Sequence, residues 1–263
     1  MEPQLFSRIS KIELLLSILA SLKAIKNQRL LMVFQKERAY FLSASPSHDL
    51  VAEGYLSQLE FDIYNVIADI EIMVDIKGLR SVLKALSAAE NTMNLTMEYP
   101  YKDNKLLLMV EETNSYSTQF CLDTYMVEPQ PVLELSDKIN ATIKFNDPRI
   151  IKQAMEVACY GRNEIGIFLS FNVERPYCFF TRDDNVTGIK SRVAIPLNDQ
   201  IDCKVSQPCE KMFSSKLLRN VAGLPKCSQV EMIMHEEGVL EVRVILSNDA
   251  WIRHFINPTE ERN

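Results

Sequence analysis

Glycine is scarce in this chain, seven in 263 residues, and no Gly-rich turn gathers that could cradle a phosphate. Nucleotide-binding folds built on such turns therefore have no footing. Histidine is scarcer still: His48, His235 and His254 lie far apart and read as surface or strand residues rather than catalytic bases. The six cysteines, Cys121, Cys159, Cys178, Cys203, Cys209 and Cys227, form no CxxC pair, and none has a histidine at metal-ligand spacing. No zinc site and no dense disulfide framework is expected, and reduced intracellular thiols are the default. The single tryptophan, Trp251, opens a terminal strand and reads as sheet packing rather than a base-stacking platform. No apolar run reaches the ~20 residues that cross a bilayer, so no membrane partner is expected. The stretch Leu14 to Leu22 after Arg8 and Lys11 imitates a signal-peptide core. Glu13 interrupts it, however, no small-x-small cleavage site follows, and Ser10 with Glu13 reads as a helix capping box.

What is present is ordinary globular material, 47% apolar and 24% charged, enough for one large domain or two of about 130 residues. Four segments carry helical periodicity. Lys11 to Ala24 follows Ser10, with Ile12, Leu15, Leu16 and Leu19 on one face. Lys77 to Ser87 follows Asp75, with Leu79, Val82, Leu83 and Leu86 as its stripe. Pro148 to Cys159 follows Asn146, and the proline suits a first turn. The fourth follows Ser214 or Ser215, with Leu217, Val221 and Leu224. Their starts near 11, 77, 148 and 215 are spaced by 66, 71 and 67 residues, the mark of a repeated unit.

Between the helices the chain alternates as strands do. Val239 to Leu246 is the cleanest, joined to Gln229 to His235 by the turn Glu236-Glu237-Gly238. Further runs are Arg29 to Gln35, Ala39 to Ser43, Ile70 to Val74, Met93 to Tyr99, Lys105 to Glu112, Ser117 to Asp123, Ile165 to Phe171, Tyr177 to Arg182 and Ile189 to Ile195. The polar segment Ser43 to Ser57 alternates poorly, and its register stays open. Each repeat is thus one helix with a few antiparallel strands, and two repeats make a half. Residues 124 to 138, with Pro129 and Pro131, read as an extended connector between an N-terminal domain at 1–123 and a C-terminal domain at 139–263. A wide loop inside one domain is the plainer alternative.

The formal net charge of −6 argues against nucleic acid only until the charges are located. The windows 11–26, 76–89, 147–162 and 214–226 carry +2, +3, +1 and +3, so the strands and loops are strongly acidic. Lys77, Arg80 and Lys84 stand opposite the apolar stripe of their helix, and Lys216 with Arg219 repeats the arrangement. One such face is usually solvated surface; four in register with a repeat suit non-specific contact with a phosphate backbone. The candidates for DNA-facing positions are Lys11, Lys23, Lys26, Lys77, Arg80, Lys84, Arg149, Lys152, Lys216 and Arg219.

Two tandem domains of helix-plus-strand units, basic helices and a central connector resemble the layout of the DNA sliding clamps, an α+β fold whose two similar domains line one face of antiparallel sheets with helices. The text is most similar to the Rad-One-type subunit of the nine-one-one (9-1-1) DNA-damage checkpoint clamp. The resemblance lies in "KLLLMVEE", "EPQPVLEL", "NEIGIFLSFNVERPYCFFTRDD", "SRVAIPLNDQIDCKVSQPCEKMFSSKLLRNVAGL" and "GVLEVRVILSNDAWIRHFINP". It implies a nuclear, non-enzymatic, cofactor-free subunit of a heterotrimeric ring with Rad-Nine-type and Hus-One-type partners. A checkpoint clamp loader would place the ring on double-stranded DNA, where it recruits signalling and repair clients. It further implies head-to-tail joining through edge strands, with Thr118, Phe120 and Leu122 in the first half and Ile189, Ser191 and Val193 in the second as candidates. Met126, Val127, Val132 and Leu133 would line a groove for client peptides. The polar tail after Pro258 is too short for the long phosphorylated tail of another subunit of that clamp.

Two other readings remain. Asp69-Ile-Glu71 resembles the first acidic motif of two-metal 3'-5' exonucleases, and Tyr99 to Asp103 has the YxxxD spacing of their last. Only 28 residues separate Glu71 from Tyr99, which leaves little room for the middle carboxylate, and both stretches read more simply as strand and hairpin-end positions. A homotrimeric replicative processivity clamp keeps the fold and changes the assembly.

Overall fold

The computed structural model describes residues 3–22, 29–87, 94–111, 117–129, 135–161, 164–175, 177–184, 188–195 and 198–259. The chain divides into two units, the first of 1–43, 53–130 and 248–252, the second of 44–52, 131–247 and 253–263.

The first unit runs β1 (Leu5–Ile9), α1 (Ile12–Leu22), β2 (Arg29–Gln35), β3 (Arg38–Ala44), β4 (Leu50–Ser57), β5 (Ile63–Val66), β6 (Ile70–Asp75), α2 (Ile76–Ser87), β7 (Asn94–Tyr101), β8 (Lys105–Glu111), β9 (Ser117–Leu122) and the two-residue β10 (Thr124–Tyr125), with the last residue of β3 and the first three of β4 counted in the second unit. One sheet has the order β5-β1-β7-β8-β9, and β10-β6-β2-β3-β4 form a second run. The pairing is antiparallel and its register follows the apolar pattern. Leu95 lies opposite Val110, Met97 opposite Leu108, and all four are buried. The helices α1 and α2 lie against each other, and α2 also meets β6 and β9. Their buried stripes, Leu15, Ile18, Leu19 and Leu22 on α1 and Leu79 and Leu83 on α2, supply the apolar burial that stabilises this layer.

The second unit runs β11 (Ile139–Phe145), α3 (Pro148–Ala158), β12 (Gly166–Phe171), β13 (Cys178–Asp184), β14 (Ile189–Ile195), β15 (Ile201–Val205), β16 (Cys209–Ser214), α4 (Ser215–Ala222), β17 (Gln229–His235), β18 (Leu240–Ser247) and β19 (Ala250–Ile256), with the first three residues of β19 counted in the first unit. Its sheet orders are β14-β13-β12-β16 and β19-β18-β17-β11-β15. Apart from β10 and the single 3-10 turns at Gln58–Glu60 and Lys102–Asn104, the described residues of the two units have the same order of elements: a strand, a helix, five strands, a helix, three strands. The 66-to-71-residue spacing of the helices is the imprint of that order. By the same correspondence β14 is the counterpart of β4, and β9 the counterpart of β19.

The helix starts show why they form where they do. Asp75 accepts the N–H of Gly78 at 2.5 Å and so caps α2. Ser214, the first of the two serine candidates, accepts from Lys216 N at 3.3 Å and caps α4. At α3 the capping residue is Asp147 rather than Asn146: its Oδ1 accepts from Arg149 N at 3.0 Å, while Asn146 Oδ1 accepts from Gln229 Nε2 at 2.6 Å. Pro148 at the first turn fixes the register that selects Asp147. The Ser10 hydroxyl donates to Asp62 Oδ1 at 3.2 Å.

Segment 43–57 resolves into β3, a turn and β4. Ser45 organises the turn, with Oγ donating to Asp49 Oδ1 at 2.5 Å and accepting from Leu50 N at 3.1 Å. β4 is buried on both faces, and a Cβ at Gly54 would run into Ile18 Cγ2. Gly238 has φ +87 in the turn joining β17 to β18, a conformation that favours glycine.

One face of the second unit's sheet carries a charge ladder. Lys144 Nζ is 3.8 Å from Glu231 Oε1, and Arg243 is opposite Glu231 and 3.4 Å from its Oε2. Glu241, 3% exposed, receives Arg243 Nε and Nη2 at 3.1 and 2.9 Å; His235 Nε2 lies 3.1 Å from its other oxygen. Burial alone pushes this carboxyl up, but the His235 hydrogen bond and the Arg243 guanidinium outweigh it and hold Glu241 below the usual value. A depressed carboxyl contributes stability above the unfolded value of about 4.3, and that contribution is lost as pH falls through the lower folded value. At pH 7 Glu241→Gln is expected to cost about 1–3 kcal/mol, because the half-buried Arg243 guanidinium loses the charge of the carboxylate it donates to. In denaturant titrations the gap to wild type should narrow towards pH 3; a gap that stays constant from pH 7 to pH 3 would show that Glu241 charge is not its source.

Candidate nucleic-acid interface

Each unit presents one helix pair, α1 with α2 and α3 with α4, and the side chains opposite their buried stripes form the candidate surface. On α2 the buried face is Ile76, Leu79 and Leu83, which leaves Lys77 and Lys84 exposed. Arg80 is half-buried between them, and its Nε has no hydrogen-bond partner among the described residues. On α3, Ile151, Ala154, Met155 and Ala158 are buried while Arg149 and Lys152 are exposed. Arg149 is already engaged: Nε and Nη2 donate to Asp147 Oδ1 and Oδ2 at 2.9 and 2.8 Å, which holds the Asp147 carboxyl below its usual range. Lys152 has no ion pair among the described residues.

Two further candidates are drawn into the protein's own contacts. Lys11 Nζ donates to Glu60 Oε2 at 2.7 Å, and Glu60 is 6% exposed. That hydrogen bond raises the lysine pKa. Lys216 Nζ lies 3.2 Å from Glu164 Oε2, and Glu164 also accepts from Ser214 Oγ at 2.9 Å. Arg219 acts as a brace: Nε donates to the Ser215 carbonyl at 3.2 Å and Nη1 to the Gly161 carbonyl, beside the Tyr160 carbonyl held by Arg182. The described part of α1, Ile12–Leu22, carries no cation, and Lys23 and Lys26 lie outside the described residues. Of the ten candidates, Lys77 and Lys152 thus stand exposed on helices with no ion pair among the described residues, one in each unit. Sequence reasoning missed Glu60 and Glu164 because they stand 49 and 52 residues from the lysines they meet. Asp147, two residues from Arg149, was within reach of a capping argument.

The strand edges form the second candidate feature. β4 and β19 run side by side. In the first unit Ser57 N donates to the Asp249 carbonyl at 2.9 Å, and Tyr55 stacks on Trp251 with ring centroids 4.9 Å apart. In the second unit Asn257 N donates to the Asp49 carbonyl at 2.9 Å. Their counterparts in the repeat, β14 and β9, are outermost strands with one ladder neighbour each. Along β9, Thr118, Phe120 and Leu122 are half-buried; along β14, Ile189 is exposed and Ser191 and Val193 are half-buried.

Beyond β9, Thr124 and Tyr125 pair with Val74 and Met73 of β6, and the Arg29 guanidinium sits 3.2 Å from the Tyr125 ring centroid. Met126 is 88% exposed and Val127 half-buried, while Val132 and Leu133 lie outside the described residues. Leu135 packs on Ala44, Val51, Val239 and Phe255, a small apolar cluster that sequence reasoning did not single out. Ser136 N donates to Glu237 Oε1 at 2.8 Å and pins the segment there.

The residues of the nuclease reading occupy ordinary positions. Asp69 accepts from Gln35 Nε2 at 2.9 Å, Glu71 is exposed on β6, and Tyr99 to Asp103 turn the β7–β8 hairpin. Among the described residues no group of three or more His, Cys, Asp or Glu is gathered as metal ligands would be. All six cysteines are free thiols, and burial pushes Cys159 and Cys203 up to about 11.

The repeated units, their sheet orders and their helix pairs make up the sliding-clamp fold of proliferating cell nuclear antigen. Solved structures carry that comparison. Proliferating cellular nuclear antigen from Entamoeba histolytica superposes with a TM-score of 0.81 at 14% identity, over 98% of this chain and 100% of that one. A PCNA2–PCNA3 complex from Sulfolobus tokodaii gives a TM-score of 0.81 at 12% identity, over 96% of this chain and 98% of that one. No protein-family model matches the sequence, and no curated protein matches it.

Along an antiparallel edge, successive N–H groups point alternately into the ladder and outward. Arg192→Pro and Val193→Pro therefore separate the two. One should weaken β13–β14 pairing and lower the melting temperature. The other should melt as wild type does yet fail to assemble with partner subunits; unimpaired assembly of both variants would mean that β14 is not a docking edge.

Proposed function

We propose that the chain is one subunit of a heterotrimeric ring that encircles double-stranded DNA, the Rad-One-type member of a 9-1-1 checkpoint clamp. It works in the nucleus with Rad-Nine-type and Hus-One-type subunits, is placed on damaged or stalled DNA by a checkpoint clamp loader, and recruits signalling and repair proteins. Its role is that of a topological tether, with no chemistry of its own. The observation that carries the reading is the pair of open edges β9 and β14, the repeat counterparts of the strands β19 and β4 that lie side by side within the chain. A chain that closes one such junction internally and leaves the same two strand types open at other edges is suited to head-to-tail rings, which remove exposed edges by pairing them.

The helices fit the same reading. Lys77 and Lys152 project flexible point charges that meet phosphates without reading bases. Because several of the other candidate cations are engaged internally, the hold on DNA is loose and salt-sensitive, as sliding requires. The text of residues 163 to 224 favours the checkpoint subunit over the homotrimeric processivity clamp. The homotrimer remains the second reading, since one chain offers both open edges.

Native mass by light scattering separates the two. The chain alone should run near 30.2 kDa and, co-expressed with Rad-Nine-type and Hus-One-type chains, enter a complex of equal stoichiometry. A lone species of about three times that mass would replace the checkpoint reading with the processivity clamp. In the assembled ring, Lys77→Glu with Lys152→Glu should leave mass unchanged. Fluorescence titrations with duplex DNA should show the slope of log affinity against log salt falling by about 0.9 for each phosphate that the variant no longer neutralises. An unaltered slope would remove these lysines from the DNA surface.

A further inference from the structure

A cavity of about 390 Å³ opens in the second unit between the first turn of α3 and the segment that follows α4. That volume sits at the lower end of the ~300–1,000 Å³ that ligand pockets span. Its lining combines three cations, Arg149, Lys152 and Lys226, with the apolar surfaces of Pro148, Leu224 and Pro225. The one carboxylate, Asp147, is spent on Arg149 and on the helix cap, so that pair cancels and the helix end is already occupied. Lys152 and Lys226 are both exposed and neither has an ion pair among the described residues. The cavity therefore offers two uncompensated positive charges beside a half-apolar wall. Cys227 lies on the lining too, and burial raises its thiol pKa, so it stays neutral at pH 7 and does not repel an anion.

We propose that this cavity binds a nucleoside phosphate monoester, with Lys152 and Lys226 on the phosphate and Pro148, Leu224 and Pro225 against the sugar and base. The charge balance selects the monoester. A terminal phosphate carries about −1.5 to −2 at pH 7, which matches two lysines, whereas an internal phosphodiester carries a single charge. The apolar wall selects a ligand with a ring over a bare anion, and the volume admits one nucleotide. Two sources share this chemistry, a free mononucleotide and the phosphorylated end of a DNA strand. The second source rests on the reading of the chain as a DNA clamp; the first does not.

Calorimetric titration of the purified chain tests the pocket independently of any ring, with deoxyadenosine 5′-monophosphate, deoxyadenosine, inorganic phosphate and phosphoserine as probes. The monophosphate should bind most tightly, and Lys152→Gln and Lys226→Gln should each weaken it about tenfold, as removal of one charge-assisted hydrogen bond predicts. Lys204→Gln, an exposed lysine on β15, should leave it unchanged. Equal binding of deoxyadenosine, equal binding of phosphoserine, indifference to both lysine variants, or no binding of the monophosphate would each overturn the proposal. A short duplex with and without a 5′-phosphate then identifies the source. A phosphate-dependent gain that Lys226→Gln abolishes points to strand ends, and binding of the monophosphate alone points to the free nucleotide. Light scattering on the same samples keeps the outcome separate from that of the ring assembly.

Discussion

Everything in this fold follows from the need of a β-strand to pair both of its backbone edges. Within each unit the inner strands meet that need through antiparallel ladders whose register is set by buried alternation, as in Leu95 with Val110 and Met97 with Leu108. The repeat then poses the same edge problem twice. β4 and β19 answer each other within the chain, while their counterparts β14 and β9 are left on the outside. The open edges are thus what remains when a repeated unit pairs these strand types at one place only.

The helices were legible in the sequence because capping and periodicity act over a few residues. Asp75 and Ser214 cap where the sequence places them, and the helix ends differ from expectation by one or two residues. Strands of seven or eight residues with a strong apolar run were equally plain, as in β2, β8 and β18. β4 was not, because it is buried on both faces and Gly54 interrupts its pattern to admit Ile18. β1, β5, β15 and β16 are six residues long or shorter, too short for period 2 to stand out, and β11 was passed over although its burial alternates cleanly. The candidate site was half legible for a similar reason. A helical face can be counted from spacing, but the acids that answer Lys11 and Lys216 arrive from elsewhere in the chain and leave no local trace.

Those acids change the character of the helix surface. Summed from sequence, it looks strongly basic; in the structure Glu60, Asp147 and Glu164 take up three of its cations, and Arg219 binds main-chain carbonyls instead of projecting. The pairs of Arg149 and Lys216, both exposed cations, contribute little to stability, typically under ~1 kcal/mol, so their larger effect is on the field. A surface with a few free lysines among neutralised pairs holds phosphate weakly and without sequence preference.

A TM-score of 0.81 at 14% identity means that this fold depends on pattern rather than on particular residues. Buried alternation, caps and turn residues suffice to build it. What distinguishes one such chain from another must therefore reside on its surface, and two of its outermost strands, β9 and β14, differ in chemistry. β14 exposes Lys190, paired with Asp183, and Arg192, whose guanidinium lies 3.8 Å from the Phe179 ring centroid. β9 exposes Gln119 and Cys121. No carboxylate of β9 from Thr118 to Leu122 answers the cations of β14, so a ring of three identical chains gains no charge pair along that ladder. A partner strand bearing Asp or Glu would gain one, and discrimination between partners requires only that difference in free energy. Charge along β14, absent along β9, is thus what sets these two edges apart.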